Sequence, residues 1–313
     1  MKVAAPGKLF VTGAYAVREG APGIVLAVDR YAVASNSTSG CEDETFPEVA
    51  AAARMLHVNA PTVDVSALYA RDDHGGRGDR GQKLGLGSSA AGTVAAVGHV
   101  FAARGDRLPE PDCRRRILDL AVAAHAFVQP LGSGADIAAA VYGGALRIAR
   151  TSRGLDVLPL PPLAVRWCAF ALGHPLRTSL ALERLDDRRT RENTRAAMDT
   201  IAQAAEVTAA AWHRADVAAV VDGACKHVRG LEALGAALEL PLVPNEVEIA
   251  RGALGRRRSL DDFVLLPSGA GGGDVVLWLS ARDPSEGEMT LLTQLGFVPL
   301  SLRVDARGVH VLE

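Results

Sequence analysis

Two domains of mixed strands and helices are what this sequence predicts, and three observations carry the prediction. A chain of 313 residues is longer than one core ordinarily organises, and 49% hydrophobic content is enough for two cores. Short β-type runs, such as 24–34 and 165–172, are separated by Ala-rich stretches with apolar residues at helical spacing. Prolines then cluster at Pro159, Pro161 and Pro162, where the composition shifts. That places a boundary there, with domains at 1–160 and 161–313.

Composition narrows the function classes. Net charge is −2 and no long basic block stands out, so the footprint of a nucleic-acid-binding protein is missing. A small anionic ligand would need cations placed locally. Cys41, Cys113, Cys168 and Cys225 lie far apart and form no zinc or CxxC spacing, which predicts free thiols in a reducing compartment. Lys, Pro, Gly and Lys interrupt the first ten residues, and no apolar run approaches the ~18 residues of a membrane span. The expectation is a soluble cytoplasmic monomer or homodimer without a membrane partner.

Taken in order, residues 3–15 read as a strand that Pro6-Gly7 breaks, exposing Lys8 toward a cleft. A lysine there either faces an anion or is simply solvated. Residues 24–34 return as a strand, 35–44 and 71–81 read as loops, and 46–57 as a short helix. The strand-like run 62–69 leads to Gly85-Leu86-Gly87, then Ser88-Ser89 and an Ala-rich helix. Glycines let backbone N–H groups approach a ligand, serines can cap the helix start, and the positive helix end favours phosphate. A nucleotide's phosphate tail is the leading reading, with an ordinary strand-to-helix turn as the alternative.

Residues 109–128 form the next predicted helix, ended by Gln129-Pro130. Asp136 follows a Gly-Ser-Gly turn at a helix start, where a carboxylate is either a cap or a catalytic group. His125, alone on an apolar helix, reads as a hydrogen-bonded structural residue. Beyond the strand 165–172, Arg177 beside Thr178 and Ser179 could hold an anion. Residues 180–240 read as two or three helices broken near Asp216 and Gly230. In 267–274 (PSGAGGGD) the backbone must approach something closely or adopt positive φ, because a hairpin turn needs far fewer glycines. Flanking strands are expected at 263–266 and 275–279, and terminal ones at 297–304 and 309–312.

Three of these segments, PGKLFVTGAYAV at 6–17, GLGSSAAGTVAA at 85–96 and PSGAGGGD at 267–274, stand in the order of the three GHMP kinase motifs. The chain resembles that superfamily. KLGLGSSAA from Lys83, the AH…Q…GSGADIAAAVYGG stretch at 124–144 and GHPLRTS at 173–179 make it most similar to the phosphomevalonate kinases. The resemblance implies an α+β, two-domain GHMP kinase fold, with an N-terminal domain like the second domain of ribosomal protein S5 and a ferredoxin-like C-terminal domain. It implies transfer of the ATP γ-phosphoryl group to (R)-5-phosphomevalonate in the mevalonate route to isoprenoids, with Mg²⁺. Lys8 and Asp136 match the catalytic positions. Lys83, Gly85, Leu86, Gly87, Ser88, Ser89 and Ala90 match the ATP-binding stretch, with Ser89 as Mg²⁺ ligand. Tyr15, Ser133, Arg177, Thr178, Ser179, Gly269, Ala270, Gly271, Gly272 and Asp274 are the substrate candidates. Ala14 stands where relatives commonly carry a glutamate, His125 where mevalonate kinases carry a metal-binding glutamate, and Leu266 where a lysine is expected. Another GHMP kinase, such as a mevalonate kinase, and a catalytically weak metabolite sensor of the same fold stay open beside this reading, as does a diphosphomevalonate decarboxylase relative.

Overall fold

A computed structural model describes residues 1–36, 46–70, 82–173, 176, 178–255 and 262–312. Along the chain these form β1 (Lys2–Thr12), β2 (Gly23–Ser35), α1 (Pro47–Leu56), β3 (Thr62–Asp64), α2 (Ser88–Ala103), α3 (Pro111–Val128), α4 (Ala135–Tyr142), β4 (Ala145–Thr151), β5 (Gly154–Pro159) and β6 (Arg166–Ala171). They continue with α5 (Thr178–Arg188), α6 (Glu192–His213), α7 (Val217–Leu238), α8 (Asn245–Gly255), β7 (Phe263–Pro267), β8 (Val276–Ser280), α9 (Glu286–Gln294), β9 (Val298–Leu300) and β10 (His310–Leu312). Two compact units emerge: one of residues 1–9, 25–146 and 303–313, the other of 10–24 and 147–302.

In the first unit the sheet runs β10-β1-β2-β4, with β3 on β2. Strand β10 is antiparallel to β1 and pairs only with its first residues, Lys2↔Leu312 to Ala4↔His310. Helices α1 to α4 pack on one another, and α2 is buried on nearly every side. A helix in that position needs small residues all round rather than an amphipathic stripe. Gly98 shows why: a Cβ there would lie 2.7 Å from Val309 Cγ2 and 3.2 Å from Val3 Cγ1.

The second unit holds an antiparallel sheet, β7-β8-β6-β9, in the register Phe170↔Val276 and Leu265↔Trp278. Its core stacks Phe263 on Trp278 with ring centroids 4.7 Å apart, and sets Phe170 edge-on to Phe297. Helices α6 and α7 form a long hairpin whose turn ends at Asp216, the N-cap of α7, which accepts from Ala219 N at 3.0 Å. This break lies where the sequence predicts it.

Several expectations are corrected by packing. Strand β1 runs unbroken through Pro6-Gly7. Its pairing with β10 has already ended at Ala4, so the N–H that Pro6 lacks costs no ladder bond on that side. The run 62–69 is extended only over β3 and then coils into a one-turn 3₁₀ helix, Ser66–Leu68. Gly230 does not end a helix but lies inside α7, where a Cβ would come within 2.6 Å of Ile201 Cγ1 on α6. The break falls instead between α5 and α6. The terminal strands shrink to β9 and β10. Helices α8 and α9 and strands β4 and β5 were not anticipated from the sequence, although Ser285 and Glu288 form a capping box at the start of α9. No helix among the described residues is long and apolar enough to cross a membrane.

Candidate active site

The first unit builds a corner around Gly87. Residues 82–84 run beside 68–70, with Ala70 N donating to Gln82 O at 2.8 Å and Leu84 N to Leu68 O at 3.2 Å. Lys83 is exposed on this short segment. The chain then folds against β1: Lys8 N donates to Leu86 O at 2.9 Å. Gly7 permits this approach, because a Cβ on it would sit 2.9 Å from both Leu86 O and Leu68 Cδ2. Pro6-Gly7 therefore does not expose Lys8 by breaking a strand. It lets the loop dock on one.

Gly87 has φ +77 and is the N-cap of α2, so the expectation that the serines cap this helix is corrected. Ser88 and Ser89 stand in the first turn, and no side chain caps it. The first intrahelical bond runs from Ala91 N to Gly87 O, which leaves the amides of Ser88, Ser89 and Ala90 without an intrahelical acceptor. Ser89 Oγ is buried and has no hydrogen-bond partner among the described residues. Such an orphaned hydroxyl costs free energy unless something binds it.

Two charged side chains flank Gly87. A Cβ on that residue would lie 3.4 Å from Lys8 Cγ and 3.5 Å from Asp136 Cβ. Lys8, only 9% exposed, donates from Nζ to Gly85 O at 3.1 Å. Asp136 is not the cap of its helix, since Gly134 takes that place with φ +79. Its Oδ1 accepts from Ile137 N at 3.0 Å, and the carboxylate stays partly exposed in the first turn of α4. Ser133 is engaged locally, its Oγ accepting from Ala135 N at 3.3 Å. The corner thus gathers one ammonium, one carboxylate, orphan amides and an unpartnered hydroxyl. Such a set suits an anion that must be neutralised and oriented. Among the described residues there is no group of three or more His, Cys, Asp or Glu that could hold a metal ion.

In the second unit the glycine-rich segment joins β7 to β8. Ser268 Oγ accepts from Phe10 N at 2.7 Å, and the Tyr15 hydroxyl donates to Ala270 O. Tyr15 has φ 68, an uncommon backbone for a tyrosine, and burial pushes its phenol well above the ordinary value. Gly269, Gly271 and Gly272 all have positive φ. Gly271 also meets Leu242, where a Cβ would lie 2.5 Å from the carbonyl oxygen, and Gly272 N donates to Leu242 O at 2.8 Å. Asp274 is partly buried at the end of this segment. Thr178 and Ser179 are exposed in the first turn of α5, and Arg177 lies outside the described residues. Ala14 is buried and Leu266 is fully enclosed in β7, opposite Leu277, a place with no room for a lysine's ammonium. Sequence reasoning misses Gly7 as the residue that shapes the Gly87 corner. The Pro-Gly pair inside a β run was the one signal in the sequence.

The profile of the GHMP kinases N terminal domain matches residues 77–144. A phosphomevalonate kinase of Streptomyces sp. (strain CL190) is 33% identical over 184 residues, covering 45% of this chain and 47% of that protein. The match therefore spans about half the length of this curated relative. The solved Lin0012 protein of Listeria innocua superposes with a TM-score of 0.81 at 20% identity, covering 100% of this chain and 99% of the other. A Streptococcus pneumoniae phosphomevalonate kinase, solved with phosphomevalonate and AMPPNP, gives 0.77 at 14% identity, covering 97% and 99%. This chain therefore has the GHMP kinase fold along nearly its whole length, and its residues 77–144, which span the α2 corner, match the GHMP kinases N terminal domain.

Proposed function

We propose that this protein is a phosphomevalonate kinase of the cytoplasm, acting as a monomer or homodimer. It transfers the γ-phosphoryl group of ATP to (R)-5-phosphomevalonate and releases 5-diphosphomevalonate and ADP. The observation that carries the proposal is that Lys8 and Asp136 both stand beside Gly87, at the start of a helix whose Ser89 hydroxyl is buried and has no partner among the described residues. The sequence relative named a phosphomevalonate kinase supports the choice of acceptor.

An acceptor that is already a phosphate is largely ionised near neutral pH, so no strong base is required. The task is to hold two anions together, and positioning with charge neutralisation does most of it. Lys8 neutralises charge on the transferring group. Asp136 orients the acceptor and Lys8 rather than removing a proton. Lys83 and the backbone of Gly85, Leu86, Gly87, Ser88, Ser89 and Ala90 cradle the triphosphate. An acceptor phosphate oxygen bonds to the γ-phosphorus as the bond to the β-phosphate oxygen breaks, and ADP carries the electron pair away. Mg²⁺ bound chiefly by phosphate oxygens would offset their charge, with the Ser89 hydroxyl as the protein ligand that fits it. Residues 1–160 form the nucleotide-binding domain in this reading. The acceptor candidates in this reading are Tyr15, Ser133, Arg177, Thr178, Ser179, Gly269, Ala270, Gly271, Gly272 and Asp274.

A coupled assay of ADP release over mevalonate, 5-phosphomevalonate, 5-diphosphomevalonate, galactose and homoserine tests this. Turnover with 5-phosphomevalonate alone is expected. Faster turnover with mevalonate would make the protein another kinase of the same fold, and release of CO₂ would make it a decarboxylase. ATP binding with no ADP from any acceptor would leave a sensor.

A further inference from the structure

We infer that buried Glu48 and exposed Gln129 form a hydrogen-bonded brace that sets the turn presenting Ser133 and Asp136, which makes both of them positioning residues for the phosphoryl transfer; this rests on the kinase reading above. Glu48 lies in the first turn of α1 and is only 3% exposed. A carboxylate that far from water is costly unless it is hydrogen-bonded. Gln129 supplies the bond, its Nε2 donating to Glu48 Oε1 at 2.6 Å. The same residue also closes α3, its N–H donating to His125 O at 2.7 Å, while its carbonyl accepts from Gly132 N at 3.0 Å. One residue, through its side chain, its N–H and its carbonyl, therefore ties α1, the end of α3 and the following turn together.

That turn has little slack. A Cβ on Gly132 would lie 3.3 Å from Gln129 O and 3.4 Å from His125 Nδ1, so the histidine ring packs against the turn. Ser133 follows at once, Gly134 caps α4, and Asp136 stands in its first turn. From Gln129 to Asp136 the path is seven residues long, held by the Gly132 N to Gln129 O and Ala135 N to Ser133 Oγ bonds. Misplacement of a reacting group by about 1 Å costs on the order of 100-fold in rate. A brace that shifts the turn should therefore act on turnover before it acts on nucleotide binding, because the nucleotide corner at Gly85 to Ala90 is built on β1 and α2 instead. His125 and Gln129, singled out in the sequence as AH…Q, acquire a physical role in this way.

Three variants test the brace. Gln129→Ala removes the donor, Gln129→Glu sets two carboxylates face to face, and Glu48→Gln combined with Gln129→Glu restores the pair with its polarity reversed. Both single variants should lower kcat with 5-phosphomevalonate by about tenfold or more and leave ATP affinity, read by nucleotide titration, within about twofold. The exchanged pair should recover to within about threefold of the parent. Amide hydrogen exchange of the unliganded proteins should show residues 130–137 exchanging about tenfold faster in the single variants, with 88–103 unchanged. Parental kcat and exchange in both single variants, or an exchanged pair that recovers neither, would overturn the inference. Should Gln129→Glu not fold, Gln129→Ala decides. A parent protein that releases no ADP from any acceptor would remove the kinase reading alone, and the exchange comparison, which needs no turnover, would still decide the brace.

Discussion

A Cβ on Gly7 would collide with the carbonyl of Leu86, so the loop that carries Gly87 reaches β1 only because that side chain is absent. The contact fixes Lys8 in turn, since its amide bonds Leu86 and its ammonium bonds Gly85. Asp136 arrives from a different helix, with its Cβ 3.5 Å from where a Gly87 Cβ would be. If this carboxylate orients the acceptor and Lys8, Asp136→Asn should keep nucleotide affinity and lose about tenfold or more in turnover, about 1.4 kcal/mol of transition-state stabilisation. Nucleotide titration and ADP release on the same preparation would measure the two quantities. Unchanged turnover would take Asp136 out of the mechanism.

Helices in this protein are told apart by what they pack against. Helix α2 is buried all round and made of small residues, whereas α6 and α7 meet along one face where Gly223 and Gly230 let the backbones approach. A Cβ at Gly223 would lie 2.2 Å from Thr208 Oγ1, and at Gly230 2.6 Å from Ile201 Cγ1 with the Ile201 amide nitrogen 3.2 Å away. Gly230→Val should therefore overpack the hairpin and cost about 2 kcal/mol, the β-branched side chain adding no helix propensity worth the name in compensation. Denaturant titration would read this as a lower midpoint at unchanged slope. A loss below about 0.5 kcal/mol would mean that the helices separate freely at this point.

For the molecule as a whole, one buried histidine contributes to the acid limb of stability. His227 of α7 is 1% exposed, its Nδ1 has no partner among the described residues, and burial pushes its imidazole down to about 4 from the ordinary 6.5. The unfolded chain thus binds a proton that the folded one refuses between these two values. Stability from this residue is fully present above pH 6.5, falls as pH drops through the interval, and levels off below about 4, a loss of about 3 kcal/mol. His227→Leu should flatten the acid limb by about that amount when unfolding is followed from pH 7 to 4. Identical limbs for parent and variant would show that the ring gains a proton while folded.

Read by itself, the sequence determined the order of the three glycine-bearing segments, the mixed strand-and-helix class, most helix and strand centres and the break at Asp216. These are local properties: apolar spacing, turn residues and composition act within a few positions along the chain. What each glycine is for was decided only by tertiary structure. Pro6-Gly7 and Gly230 carry the same breaker signal as true turns, yet one admits a loop and the other a neighbouring helix. Likewise Ser88 and Ser89 look like caps until Gly87 is seen to take that place. A Ser285-to-Glu288 capping box marks the start of α9, which the apolar pattern alone does not reveal, and the pairing of Glu48 with Gln129 is hidden because the two are 81 residues apart. A missing side chain permits many conformations and many neighbours, and one dimension records the permission but not which neighbour uses it.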